Sequence, residues 1–287
     1  MSGNLFTALI AVGAALAGTG CRRGTSPPLA KPAVAVDEAL RSEHFAESLL
    51  KLGRAHLRGV TQFQVTPEGG SPEQIRTETD VWVDEHGNWR LVELNDHDGG
   101  REIVRHGREL AVALRYGKML RRTAEDPEPL HLLAEGTGGP WAAWELVREV
   151  TTVDDFGTEI QAGRKVHVYN LTKDRNPRPA QPLGDPTDRR AWRRTLVPVT
   201  IEGKVTIDEV THVPILAELR AHYTGTRHGP DGDKAITGSV EARASVEEIG
   251  TSPAITPPEA EDLPLRQRTV PEEKALLGGL PRSRGTP

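Results

Sequence analysis

Three histidines mark successive glycine-bearing turns: His86 in Asp84-Glu-His-Gly-Asn88, His97 in Asn95-Asp-His-Asp-Gly-Gly100 and His106 in His106-Gly-Arg-Glu109. Imidazoles beside carboxylates are the raw material of a metal site or a general base. Their spacing is not that of a compact zinc site, and each is equally well explained as a polar turn residue. We therefore assign no metal. The adjacent pairs Asp154-Asp155 and Glu247-Glu248 point in different directions on a strand or helix, which is poor geometry for paired acid/base work. No serine stands in a Gly-x-Ser-x-Gly setting, and the glycine pairs at 69–70, 99–100, 138–139 and 278–279 lack the lysine of a phosphate loop. The residues thus name no catalytic group and no cofactor, and the chain is not expected to be an enzyme. A hydrolytic or metal-dependent enzyme built on the three histidine turns is the least supported alternative.

The single cysteine offers different chemistry. Leu5 to Gly20 contains no charged residue, yet its sixteen positions fall short of the roughly 20 that a spanning helix needs. The apolar run from Asn4 to Ala17 ends in the small residues Gly18, Thr19 and Gly20 before Cys21. This resembles the lipobox of bacterial lipoproteins, although Gly18 stands where Leu is usual and no Lys or Arg precedes the run. The resemblance implies a signal peptide over 1–20. It also implies lipidation of Cys21, with a diacylglyceryl thioether and a further amide-linked chain such as palmitate. Several acyl chains hold a protein at a membrane because burial contributes about 0.8 kcal/mol per methylene. The alternative is a buried helix over 5–17 with a core cysteine at its end. Residues 22–37 carry three prolines and no aromatic anchor, as expected of an extended tether from lipidated Cys21.

The elements that would position a site follow from composition and period. Lys plus Arg number 36 against 41 Asp plus Glu, a net charge of -5, so no basic field favours nucleic acid. Leu40, Phe45, Leu49 and Leu57 recur at helical spacing and predict an amphipathic helix over 38–57. A short strand is expected at 60–65. The clearest pattern is a meander of four strands, 75–83, 89–94, 101–105 and 110–116, with Gly87, Gly99 or Gly100, and Gly107 available for left-handed turn positions. Pro140 to Val150 reads as a second helix. Strand patterns resume at 164–171, at a hairpin-like pair 197–201 and 204–208 around Gly203, at 213–223 and at 234–249.

Between these strands lies a proline-rich insertion, about 174–194, with four prolines from Pro177 to Pro186. Arg189, Arg190, Arg193 and Arg194 flank Trp192 within it; nucleic acid, a lipid headgroup or plain solvation would each suit that basic knot. With no wider basic field a solvated surface is the default, and binding an envelope partner would be its role in an interaction lipoprotein. Trp141 and Trp144 share a helix face, and with Trp89 they are the candidates to contact an apolar ligand or, on the plainer reading, to pack the core. Residues 251–287 hold seven prolines among 37 residues and read as a disordered tail.

The order of helix, meander with Asp84-Glu-His-Gly-Asn-Trp89, second helix and late strands resembles the LolA/LolB-like lipoprotein carriers of the periplasm. The late run from Gly203 to Ile215, with Asp208, Thr211 and Pro214, is similar to that family's Asp, Thr and Pro before an apolar strand. The resemblance would cover 38–250. It implies an α+β fold, a curved antiparallel sheet (half-open barrel) with helices packed on its concave side, whose cavity takes lipid or the acyl chains of another lipoprotein. Localisation would be the cell envelope, at the outer membrane facing the periplasm. The rival is a structural or interaction lipoprotein that binds an envelope protein and uses no cavity.

Overall fold

The computed structural model describes residues 32–40, 42–122, 129–175, 196–229 and 232–262. The chain divides into Met1–Ala30 and Lys31–Pro287, and every described residue belongs to the second unit. Cys21 and the basic knot at Arg189, Arg190, Arg193 and Arg194 lie outside the described residues.

Two short helices open the unit, α1 (Pro32–Ala39) and α2 (Ser42–Lys51). Pro32 suits a first helical position, where its missing N–H is no loss. The helix forms where a tether was expected because Val36 and Ala39 are buried. The single helix expected over 38–57 is likewise corrected. Gly53 adopts φ +75°, a left-handed end that costs a glycine little. Beyond it, residues from Ala55 onward belong to the first strand, β1 (Ala55–Pro67).

The meander follows as β2 (Glu73–Val83), β3 (Trp89–Asn95), β4 (Gly100–His106), β5 (Glu109–Leu114) and a short β6 (Leu120–Arg122). Gly87 and Gly107 take positive φ as expected, but at the β3–β4 turn Asp98 does so, at φ +62°. Gly99 and Gly100 serve close approach instead. A Cβ on Gly99 would lie 2.5 Å from the Asn95 amide, and one on Gly100 2.6 Å from the Glu93 carbonyl oxygen.

Next come α3 (Pro129–Gly136), α4 (Gly138–Val147) and a 3-10 turn over Arg148–Val150. The second meander is β7 (Thr151–Gln161), β8 (Arg164–Lys173), β9 (Val197–Asp208), β10 (Pro214–Gly229) and β11 (Gly232–Glu247). Residues 197–208 form one strand rather than a hairpin. Gly203 sits mid-strand because a Cβ there would come within 2.6 Å of the Glu218 carbonyl oxygen. β7 gave no sequence signal because none of its residues is buried.

Among the described residues twelve strands form one open sheet in the order β12-β6-β5-β4-β3-β2-β1-β11-β10-β9-β8-β7, where β12 is Glu261–Asp262. Every pairing is antiparallel except β12 with β6. The two meanders meet at the centre, where β1 pairs with β11 from His56–Glu247 to Pro67–Ile236. This topology explains the helices. β6 and β7 are consecutive in sequence but stand toward opposite edges, ten strand steps apart, about 48 Å on a flat sheet at the usual spacing. The connection must cross the sheet face, and α3 and α4 are that connection: α3 packs on β3, and α4 on β1 and β9 to β11. The curved, half-open sheet with helices on its concave side is therefore the fold observed.

The stretch expected to be a tail from residue 251 is ordered at its start. Gly250 turns the chain at φ +81°, Ser252 is fully buried, and residues 253–260 run as a strap to β12. Residues 263–287 lie outside the described part.

Candidate apolar site between sheet and helices

The concave face is built from alternate positions of the strands. β1 points Leu57, Gly59 and Thr61 inward while Arg58 and Val60 face solvent. At the centre several inward residues are small, Ala217 and Ala221 on either side of Leu219 on β10, and Ala242 and Ala244 between Val240 and Val246 on β11. That small-residue floor leaves depth for large side chains descending from α4, and Trp141 and Trp144 occupy it. The Trp141 ring lies 4.0 Å from Phe45 of α2, tilted by 42°. The Trp144 Nε1–H donates to Asp37 Oδ1 of α1 at 3.2 Å, and Arg148 approaches the same carboxylate at 3.6 Å. The two indoles thus join α1 and α2 to α4.

Trp89, at the start of β3, is fully buried in the same apolar cluster as Trp141 and Trp144. Its Nε1–H and that of Trp141 are buried and find no hydrogen-bond partner among the described residues. A buried donor left unmade costs about 1–3 kcal/mol, so these two N–H groups are the polar points of an otherwise apolar layer. Along β3 the apolar run stops after Leu91. The next inward position, Glu93, faces the buried Arg101 across the β3–β4 ladder at 3.5 Å.

Two buried aspartates lock the sheet around this layer. Asp84 accepts from the backbone of His86 and Asn88, from Asn88 Nδ2 at 2.9 Å and from the Ile255 N–H at 3.3 Å. Burial alone would raise its pKa, but these donors outweigh burial and hold it below the ordinary carboxylate value. Asp208 receives Arg164 through two nitrogens, and the backbone N–H of Val210 and both N–H and hydroxyl of Thr211. Here too burial pushes upward and is overcome, chiefly by Arg164 and then Thr211, leaving a pKa of about 2. Burial also raises the phenol of Tyr223, and that of Tyr169, where the Asp155 charge adds to it.

The histidine turns do not converge. His86 and His106 lie at one end of the meander, whereas His97 lies across the seven-residue β3, about 20 Å away at strand rise. Among the described residues no group of three or more His, Cys, Asp or Glu is placed to hold a metal ion.

All three candidate tryptophans lie within the core and pack on the protein's own side chains. Two cavities of about 260 and 540 Å³ open on the outer, convex face instead. The larger lies over β1 and β9 to β11 among paired charges such as Arg220–Glu241 and Arg243–Glu218. Sequence reasoning missed Asp37 and Phe45 as partners of the indoles. It also missed Trp82, which projects from β2 on the opposite face to Val81 and Val83. The alternation of apolar positions in Asp80-Val-Trp-Val83 was the signal that could have found it.

No protein-family model matches the chain, and no curated protein matches it. Among solved structures it is similar to the Mycobacterium tuberculosis lipoprotein LppX, at 11% identity over 78% of this chain and 97% of that one, with a TM-score of 0.34. A LolA superfamily protein from Nitrosomonas europaea aligns at 11% identity over 74% and 95% of the two chains, with a TM-score of 0.22. A putative outer membrane lipoprotein-sorting protein domain from Vibrio parahaemolyticus aligns at 10% identity over 74% and 92%, with a TM-score of 0.23.

Proposed function

We propose that this chain is a non-enzymatic envelope lipoprotein that binds an apolar ligand, a lipid or the acyl chains of a lipoprotein, between the concave sheet and helices α1 to α4. One observation carries the reading: the indole N–H groups of Trp89 and Trp141, buried in an apolar layer under short helices with no acceptor among the described residues. An acyl ester offers both things this layer lacks, a carbonyl acceptor for an indole N–H and methylenes to extend its contacts. Apolar burial supplies about 25 cal/mol per Å² before ordering costs are subtracted.

Because the layer is filled by its own side chains, binding requires the helices to lift. None is longer than ten residues, and what holds them to the sheet is mostly non-directional apolar packing, with a few polar ties such as Asp37 between Trp144 and Arg148. The sheet stays in register while the helices move, since its hydrogen bonds do not depend on them. In this reading Cys21 carries the acyl anchor, residues 22–31 form the tether, and the domain works at the outer membrane facing the periplasm. Native mass spectrometry of the chain purified without detergent tests the proposal. A bound mass that dissociates as phospholipid or acylglycerol is expected, and uniformly ligand-free protein from a lipid-rich host would count against it.

A further inference from the structure

The outer face of the sheet carries an aromatic row that packing does not require. His56 on β1, Trp82 on β2 and Arg90 on β3 are direct cross-strand neighbours. The imidazole stacks on the Trp82 indole at 4.5 Å and 14°, and the Arg90 guanidinium lies 5.5 Å from the indole centroid. Both neighbours are themselves fixed, His56 by Asp80 at 2.8 Å and Arg90 by Glu102 at 2.8 Å. The result is a rigid indole platform on a solvent-side face, the type of anchor that recognition surfaces use.

The chain lays its own strap over this platform. Pro253, Pro257 and Pro258 fix φ along it, so little conformational freedom is lost when it docks. Its acidic end meets a basic edge, with Glu261 2.6 Å from Lys118 and Asp262 2.7 Å from Arg121. These pairs are exposed and hold weakly. The Ile255 N–H to Asp84 contact is long at 3.3 Å, and the ladder to β6 spans two residues. The fit is also incomplete. About 260 Å³ remains between strap and sheet, lined by Trp82, Arg90 and Met119 below and Ala254, Thr256 and Pro258 above.

We propose that this groove is a docking site for an extended, proline-rich peptide segment with an acidic C-terminal flank, and that residues 253–262 occupy it in cis until a partner segment displaces them. The cis segment displays the chemistry that fits: prolines over an indole and cation row, carboxylates on Lys118 and Arg121. The unfilled volume indicates how a partner competes, through a larger apolar side chain where this chain has Ala254. This site is separate from the concave layer and does not depend on the apolar ligand.

Fluorescence anisotropy of a labelled synthetic peptide spanning residues 251–262, titrated with the full chain, tests the proposal. Pro257→Gly with Pro258→Gly in the chain loosens the strap, and because cis occupancy lowers apparent affinity by the open fraction, this variant should bind about tenfold more tightly than wild type. The peptide carrying Ala254→Leu should bind more tightly than its parent. Adding Trp82→Ala to the loosened chain should abolish binding. Adding Lys118→Glu with Arg121→Glu, the first exposed and the second half-buried on β6, should weaken it while the thermal unfolding midpoint stays close to that of the loosened chain. No saturable binding to the loosened chain, or binding indifferent to both sets of changes, would overturn the proposal.

Discussion

Arg164 and Asp208 form a two-point ion pair, Nε to Oδ2 at 2.6 Å and Nη2 to Oδ1 at 3.1 Å, that ties the start of β8 to the β9–β10 turn. The aspartate is 1% exposed, so it has almost no water to fall back on. Replacing Arg164 by Met leaves that buried charge with only its turn donors and should cost about 2–3 kcal/mol, read as a lower urea midpoint at unchanged slope.

The same carboxylate sets a pH dependence. Its folded pKa of about 2 lies below the unfolded 3.8, so folding favours proton release. The contribution is complete above about pH 5, declines as pH falls through 3.8 and is gone below about 2, a total of roughly 2 kcal/mol. Asp208→Asn should therefore lose stability at pH 7 and flatten the acid limb of a stability–pH curve. An acid limb identical to wild type would contradict this role.

Tyr223 and Gly238 are cross-strand partners on β10 and β11, with the ring lying over the glycine. A Cβ on Gly238 would sit 2.5 Å from the ring and 2.6 Å from the Gln64 carbonyl oxygen. Gly238→Ala should destabilise by about 1–3 kcal/mol through overpacking, and Tyr223→Ala by about 3–5 kcal/mol through the cavity it leaves. The double variant should cost less than the sum, because removing the ring relieves the side-chain clash, although the contact with the Gln64 carbonyl oxygen remains. Thermal or urea unfolding of all four chains reads the coupling.

Gly136 closes α3 directly on β3, and a Cβ there would overlap the Leu91 side chain. Gly136→Ala should lift the end of α3, raising amide exchange in α3 and speeding uptake of an acyl probe. Leu91→Ala in the same chain should restore wild-type exchange in α3. Hydrogen–deuterium exchange by mass spectrometry checks both.

The meander from β2 to β5 was legible less from strict alternation, which fails in β4 and β5, than from apolar runs bounded by turns whose glycine or asparagine the backbone uses. Asp208, Thr211 and Pro214 stood together in the family resemblance, and the bonds from the Thr211 N–H and hydroxyl to Asp208 show why the first two types matter. α1 was hidden because a Pro-Ala-Val stretch becomes a helix only once Val36 has a surface to bury against. β7 was hidden because an edge strand with no buried face has no hydrophobic period. The tryptophans of the concave layer could be nominated from their types, but that two lack acceptors while Trp144 has one depends on how the helices sit. The strap looked disordered because prolines and charges suit a tail equally well. The fact that decides otherwise is a buried Ser252 beside a left-handed Gly250.

The most direct test of ligand binding is quenching of Trp89 and Trp141 by brominated acyl chains, in a chain whose Trp82, Trp144 and Trp192 are replaced by Phe. Saturable quenching by dibromostearoyl phospholipid, halved when either remaining indole is also replaced, is the result predicted. Emission that stays unquenched at saturating lipid while the protein remains folded would contradict an apolar ligand between sheet and helices.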